Sequence, residues 1–595
     1  MKKYDTLKGD FMKLGPCTDG DTTTVSVVSD LNKNISLELF SKTTKKRIHS
    51  IPFPKDYRLG SVCSLAIKGF DPEQYLYRIR SGKQDRMDPY VKMIDGNRRF
   101  GKRDGLGSFE TPSPVVRHKR PGLDWEDMII YLTNVRAFTK DNSSGVSNPG
   151  TFDGMREKIP YLKKLGVTSV LLQPAYDFEE ITEQTSERGI VQKLNLWGYV
   201  PGNYFVPKPS YAAGDPAEEF AGLVDELHKN GMELILQFYF LPDDSLCFII
   251  EVLRFWVMTY GIDGFEVMGA DLPVREIARE PYLSDTKLIF ANADPDLIYG
   301  RSAPVEINVG GINDPFMYDM RKFLKGDEDM LNSISRNILL NPDRTAAINR
   351  ITTYHGFTLK DLVSYERKHN EKNGEGGADG SDYNYSWNCG EEGPSRKKAV
   401  NSLRLRQMKN AMMLLLLSQG VPLIRSGDEF GNSQRGNNNA WCQDNSISYL
   451  NWKDAEKNSE FLDFVKELIA LRRAHPVFHG RYAKKMYDYI SCGAPDASFH
   501  GDQAWNQNFV NYNRHFALMY AGAYEKMGSG KCDDDFYIAY NMHWTGHRFH
   551  PPKPPRGKKW EMCMTSGSGR EIASYDAAKN ELAVFARSIV VLRAK

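Results

Sequence analysis

The stretch Glu233–Met268, ELILQFYFLPDDSLCFIIEVLRFWVMTYGIDGFEVM, leaves the chain few folds to choose from. Leu234, Ile235, Leu236, Phe238 and Phe240 form a short unbroken apolar run, the mark of a strand buried on both faces of a parallel sheet. Pro242 ends it. Asp243, Asp244 and Ser245 offer helix-capping oxygens, and Leu246, Ile249, Ile250, Leu253, Val257 and Tyr260 fall at helical spacing up to Gly261. A second strand, Gly264 to Met268, follows at once. A strand–helix–strand unit with so little between its elements builds a parallel sheet or barrel, and chemistry in such folds sits at the carboxyl ends of the strands. Gln237, Leu241, Glu266 and Met268 occupy those positions.

At 595 residues the chain exceeds a single core, and three domains are expected. Residues 1–110 run in short alternating strands (Thr24 to Val28, Ile35 to Phe40, Gln74 to Ile79), the pattern of an antiparallel β-sandwich without helices. Thr111 to Pro121, TPSPVVRHKRP, carries three prolines and four basic residues and reads as a linker. From Met128 the texture alternates: strand Ile129 to Tyr131, helix Met155 to Leu165, strand Val167 to Leu172, helix Pro216 to Asn230, strand Leu234 to Phe240. Alternation continued to about residue 480 predicts an α/β fold of the (β/α)8 TIM-barrel type over 111–480, with Asn370 to Gly380 as a glycine-rich loop. Strands return over 481–595 (Phe516 to Tyr520, Asp535 to Tyr540, Ile589 to Leu592), predicting a C-terminal β-sandwich.

Seventy-eight basic against 76 acidic residues leave a net charge of +2, which argues against nucleic acid or an anionic membrane and for a neutral ligand. Eight cysteines without a C-x-x-C pair read as reduced thiols in a cytosol, with no zinc or disulfide framework. Met1 to Gly15 lacks the apolar core of a signal peptide, and Ala411 to Leu417 is too short to span a bilayer and reads as core helix. No metal set and no cofactor motif is visible.

Six ordered segments resemble glycoside hydrolase family 13, in its branch of isoamylases, glycogen debranching enzymes and type I pullulanases: IIYLTNVRAFTKDNSSGV, PGTFDGMREKIPYLKKLGVTSVLLQP, NLWGYVPGNYFVPKPSYA, HGFTLKDLVSYERKHNEKNGE, YNYSWNCGEEGP and GVPLIRSGDEFGNSQRGNNNAWCQDN. The resemblance is colinear from about Met128 to Trp452. DPYVKMIDG at Asp88 to Gly96 resembles the family 48 carbohydrate-binding module that precedes such barrels, and FALMYAGA and DDDFYIAYNMHW resemble the domain that follows them.

The resemblance implies a retaining α-glycosidase, whose reaction needs one carboxylate as nucleophile and one as proton donor. It implies the nucleophile at the end of a G-F-R-x-D strand, where this chain has Gly264, Phe265, Glu266, Val267, Met268. The nucleophile position holds methionine, and the arginine two residues before it is Glu266. The proton-donor position holds Asn292, in Ala291, Asn292, Ala293, Asp294. The H-D pair before GFTL is Tyr354 and His355, and the third-strand series is Gln237, Leu241 and Pro242 with almost none of the loop that follows it. Every catalytic position on four strands is changed while the surrounding words stay legible. A positioned general acid is worth about 10² to 10⁴ in rate, so the expectation is a glycosidase fold without glycosidase chemistry.

Glu266 and Asp294 each lie two residues from the expected carboxylate positions, but at about 3.3 Å per residue such a shift misses the sugar, and structural charge is the expected role. Trp197, Tyr199, Tyr204 and Tyr211 are read either as a sugar-stacking rim or as packing. Asp428, Glu429 and Asn437 to Asn439 are read as a polar binding edge or as a loop bonding its own backbone. His355 is expected to be a satisfied polar residue. Three readings follow: a non-catalytic isoamylase-like protein that binds α-glucan or assembles with an active debranching enzyme or with itself; an active debranching hydrolase with relocated carboxylates; and a scaffold that binds no sugar.

Overall fold

Eight parallel strands close on themselves in chain order: β1 (Ile130–Thr133), β2 (Ser169–Leu172), β3 (Glu233–Tyr239), β4 (Gly264–Met268), β5 (Lys287–Phe290), β6 (Val309–Ile312), β7 (Ala346–Arg350) and β8 (Val421–Arg425), with β8 pairing back to β1. This is the (β/α)8 barrel expected from the alternation. The structure is a computed structural model and describes residues 4–29, 34–186, 189–300, 307–555 and 557–595. The first three residues of the Met1 to Gly15 stretch therefore lie outside the described residues.

The unit that anchors the reading forms as its sequence dictates. β3 is buried along nearly its whole length, and the helix Leu246–Tyr260 starts where Ser245 Oγ accepts the Phe248 N–H at 3.2 Å. It stops at Gly261, whose φ of 67° is the left-handed C-cap that glycine takes without strain. Phe248, Ile249, Val252, Leu253, Trp256 and Tyr260 form the buried face of this helix. In the parallel register Gln237 stands beside Glu266 and Tyr239 beside Met268, so the interior ends of β3 and β4 are level.

Two local readings need correction. The helix expected from Met155 to Leu165 is two helices, Phe152–Arg156 and Ile159–Leu165, because Pro160 has no N–H to give and its ring would meet the Arg156 carbonyl. The first strand is displaced, running Ile130–Thr133. Between β2 and β3 the chain also inserts two antiparallel pairs, Tyr176–Phe178 with Gly202–Pro207 and the hairpin Ile181–Ser186 with Gly189–Leu194, which the alternation did not disclose. Ala411 to Leu416 lies in the helix Lys398–Leu416, and Ala411 to Leu417 are all buried core residues. No helix among the described residues is long and apolar enough to cross a membrane.

Before the barrel, a five-stranded and a six-stranded sheet pack face to face over Val25, Val27, Leu37, Leu39, Leu65, Ile67, Tyr77 and Ile79. The Pro-rich connection after Ser108 is tied to the barrel: Arg117 and His118 backbone N–H groups donate to Asp225 Oδ1 at 2.7 and 2.9 Å, and Arg120 reaches Asp285 at 3.3 Å. After the barrel, the strands Ala497–His500, His515–Tyr520, Phe536–Asn541, Ser588–Ala594 and Trp560–Thr565 form one sheet. His547–Phe549, Glu581–Val584 and Ser574–Asp576 form the other.

Candidate functional site at the carboxyl ends of the barrel strands

At the mouth of the barrel Gln237 (β3) and Glu266 (β4) face inward and bond to each other, with Gln237 Nε2 donating to Glu266 Oε2 at 2.6 Å. That bond fixes the amide orientation, because a carboxylate only accepts, and it leaves Gln237 Oε1 to receive the Tyr199 hydroxyl at 2.9 Å. Tyr199 in turn accepts from Gln173 Nε2, at the end of β2, at 3.0 Å. The result is one hydrogen-bonded row across three adjacent strand ends. Burial raises the Glu266 carboxyl above its ordinary range, while the Gln237 amide and the Arg350 guanidinium pull the other way. Arg350, the last residue of β7, is itself ion-paired to Asp314 at 2.6 Å.

Above this row an aromatic cluster fills the mouth. Trp197 is only 4% exposed, and its ring meets the edge of His355 at 4.9 Å and lies 6.1 and 6.2 Å from Tyr199 and Tyr354. Tyr199 stacks on His355 at 5.3 Å. Tyr354 is buried beneath the Arg425 guanidinium, which stands 4.7 Å over its ring, and its hydroxyl contacts Ser426 at 3.2 Å. His355 is exposed at the outer edge, yet the walls beside it displace enough water to push its pKa down to about 4, with Arg350 and Arg425 adding to the effect.

The remaining strand ends have other duties. Met268 is half-buried, and its carbonyl accepts the Phe240 N–H at 2.8 Å. Gly269 follows with φ 149°, and a Cβ there would come within 2.5 Å of the Phe240 carbonyl oxygen, so only glycine lets the ends of β3 and β4 approach so closely. The short loop after β3 is closed by Asp244, whose Oδ2 accepts the Leu241 N–H at 2.8 Å. Asn292 is exposed just beyond β5. Asp294 caps the helix Pro295–Tyr299, accepting the Asp296 and Leu297 N–H groups at 2.9 and 3.4 Å. At the opposite, amino-terminal mouth, a cavity of about 590 Å³ opens among Trp125, Lys287, Asn341, His479 and Tyr482.

This architecture is shared with known proteins. The alpha-amylase catalytic-domain model matches residues 130–240. The chain is 31% identical over 569 residues to chloroplastic isoamylase 3 of Oryza sativa subsp. japonica, covering 80% of this chain and 70% of that one. It is 31% identical over 523 residues to the glycogen operon protein GlgX homolog of Haemophilus influenzae, covering 70% and 77%. The chain belongs to the isoamylase and GlgX branch of the alpha-amylase family. Relatedness to the GlgX homolog of Mycobacterium tuberculosis, 28% identical, runs through 98% of this chain and 97% of that one. Among solved structures, apo pullulanase from Paenibacillus barengoltzii superposes with a TM-score of 0.72 over 98% of this chain and 94% of its own; at 19% identity this speaks for the fold alone.

Within this isoamylase-type barrel several expected binding residues turn out to be interior. Tyr204 is a core residue: its hydroxyl donates to the Tyr239 carbonyl at 2.9 Å and its ring lies over Phe240 at 5.1 Å. Tyr211 is fully buried, edge-on to Phe152 and parallel to Phe100. Neither offers a face to a sugar. The polar edge is likewise internal. Asp428 Oδ1 accepts the Leu359 N–H at 2.8 Å and its other oxygen the Thr352 hydroxyl. Glu429 accepts the hydroxyls of Tyr131 and Tyr161 at 2.8 and 2.7 Å and the Gly427 N–H at 2.9 Å. Burial pushes their pKa values up to about 6 and about 7. Asn437 and Asn438 bond Asn373 and Asn370, and Asn439 bonds Asp379, lacing the glycine-rich loop onto the barrel.

Gln173, Arg350 and Arg425 were not singled out from the sequence. The usable signal was positional: each ends an apolar strand run, where an interior-facing polar group lands in the mouth.

Proposed function

We propose that this chain is a non-catalytic member of the debranching branch, serving α-glucan metabolism by binding glucan or by assembling with an active relative. The observation that carries the reading is the Gln237–Glu266 bond. The carboxylate that β4 turns into the mouth is spoken for by a neighbouring amide, beneath a packed aromatic cluster, while methionine and asparagine stand where the family resemblance implies nucleophile and acid. Asp294, the other displaced carboxylate, is spent as a helix cap. A retaining hydrolysis needs two free carboxyl groups about 5 Å apart with a sugar ring between them, and Glu266 and Asp294 both already accept hydrogen bonds from this chain. The eight free thiols support residence in a reducing compartment such as the cytoplasm.

A second reading, hydrolysis by relocated carboxylates, is favoured by one observation: Asp314 adds to the rise of the Glu266 pKa, so two acidic groups share the mouth with Arg350 between their influences. Assay of pullulan, amylopectin and glycogen separates the two. Absence of reducing-sugar release supports the first reading. Release that is abolished by Glu266→Gln establishes the second.

A further inference from the structure

We infer that Asp502, His515 and His547 form a binding site for a zinc-class divalent cation at one end of the C-terminal sandwich. The three come from separate segments: Asp502 from the loop after Ala497–His500, His515 from the first residue of His515–Tyr520 in the larger sheet, and His547 from the first residue of His547–Phe549 in the smaller one. One potential ligand atom from each lies within 4.8 Å of the others.

The distances fit one small ion. Asp502 Oδ1 lies 3.0 Å from His515 Nε2 and 3.8 Å from His547 Nδ1. A tetrahedral ion with bonds of about 2.0–2.1 Å holds its ligand atoms about 3.3 Å apart, between those two values. Two imidazoles and one carboxylate match a borderline ion with a position left for water; calcium and magnesium would ask for more oxygens than the cluster has.

The alternative, that the three simply neutralise one another, leaves loose ends. The imidazole rings lie 3.8 Å apart and nearly parallel, an arrangement two protonated rings would resist. The His515 side chain is only 9% exposed, so its Nε2 faces the Asp502 carboxylate largely out of bulk water. The loop is braced for the task, because the His550 N–H donates to the Asp502 carbonyl at 2.8 Å.

A bound ion would staple both sheets to the loop 501–514. The test uses the untagged full chain, stripped with chelator and titrated with Zn²⁺ by calorimetry and with Co²⁺ by visible absorption. The expected result is one ion per chain, cobalt bands of nitrogen and oxygen ligation without a thiolate charge-transfer band, and a rise in melting temperature. Affinity should fall about 10–100-fold or more in Asp502→Asn and in His547→Gln. Asp502 is half-exposed, so its asparagine variant keeps the fold and answers the question even where His515→Gln does not. No uptake, uptake unchanged in Asp502→Asn, or a thiolate spectrum from the free cysteines would overturn the assignment.

Discussion

Gln237 and Glu266 are register partners on adjacent barrel strands, and their side chains repeat the pairing of their backbones with an amide–carboxylate bond of 2.6 Å. A buried carboxylate costs free energy unless donors surround it, and Gln237 is the donor that β3 supplies. Tyr199 and Gln173 hold Gln237 in the one orientation that permits this. The mouth of the barrel is thus organised to keep Glu266 in place, and its parts should fail in a definite order.

Gln237→Leu should destabilise the protein by about 1–3 kcal/mol, because it removes the donor and leaves the carboxylate buried. Glu266→Gln should cost less, since it removes the buried charge together with the need for that donor. Denaturant midpoints of the two variants against the parent chain check the order. If Glu266→Gln proves the more damaging, the bond is not what holds the mouth.

The pH dependence follows from Asp428 and Glu429. Burial raises their folded pKa values to about 6 and about 7, above those of unfolded carboxyl groups near 4. Between about pH 4 and pH 7 the folded chain therefore holds protons that the unfolded chain has released, and stability falls as pH rises through that window, then levels. Glu429→Gln cannot titrate. The stability gap between it and the parent chain should change across pH 5 to 7.5, by on the order of 1–3 kcal/mol, in the direction that penalises the parent at high pH. Unfolding midpoints measured at several pH values check the sign.

Much of the barrel was legible because a parallel strand buried on both faces has to be largely apolar, and Leu234 to Phe240, interrupted only by Gln237 and Tyr239, could be little else. The breaks at Pro242 and Gly261 are read equally well, since they act through local backbone geometry. Burial of polar and aromatic groups was harder to see. Tyr211 and Asp428 look like surface chemistry in a linear sequence, and only tertiary neighbours (Phe100 and Phe152 for one, Leu359 and Thr352 for the other) turn them inward. The Asp502–His515–His547 cluster was invisible for a related reason: its members are spread over 46 positions and meet only when two sheets close.

Trp197→Ala separates packing from binding. With 4% exposure and ring neighbours at His355, Tyr199 and Tyr354, it should lower stability by about 3–5 kcal/mol and leave mobility in a glycogen-containing native gel unchanged in the molecules that remain folded. Lost retardation with unchanged stability would instead make Trp197 a sugar-binding residue.

Installing the implied catalytic set should not produce hydrolysis. Met268→Asp with Glu266→Arg and Asn292→Glu supplies the carboxylates, but Tyr354 and His355 still pack against Trp197 and Tyr199 across the mouth, and Asp244 still closes the short loop after β3. Positioning is worth as much to such a reaction as the groups themselves. The triple variant should therefore release no more reducing sugar from pullulan than the parent, and turnover at the rates of active isoamylases would show that the mouth opens.

If glucan affinity is retained, exposed rings must carry it, because a neutral sugar binds by stacking on a free aromatic face. The buried rings of the barrel mouth have none to spare, but the C-terminal third does: Trp505 is 55% exposed, Tyr512 63% and Trp544 60%. Trp505 is the strongest of these. Its φ of 63° is a left-handed conformation that costs a bulky residue about 1–3 kcal/mol, held by a 2.8 Å bond from its N–H to His500 Nδ1, and its ring meets His500 edge-to-face at 4.9 Å while over half of the residue stays exposed. Trp544 has one face covered by the stacked His543 and the guanidinium of Arg514 near its ring. Retardation in a gel cast with glycogen or amylopectin should accordingly weaken most in Trp505→Ala, less in Trp544→Ala, and persist at high salt, since no charge is screened in a stacking contact. Truncation of residues 1–110 provides the counter-test. Retardation lost there and intact in Trp505→Ala would move the binding surface to the N-terminal sandwich. An unretarded parent chain would leave a scaffold that binds no sugar.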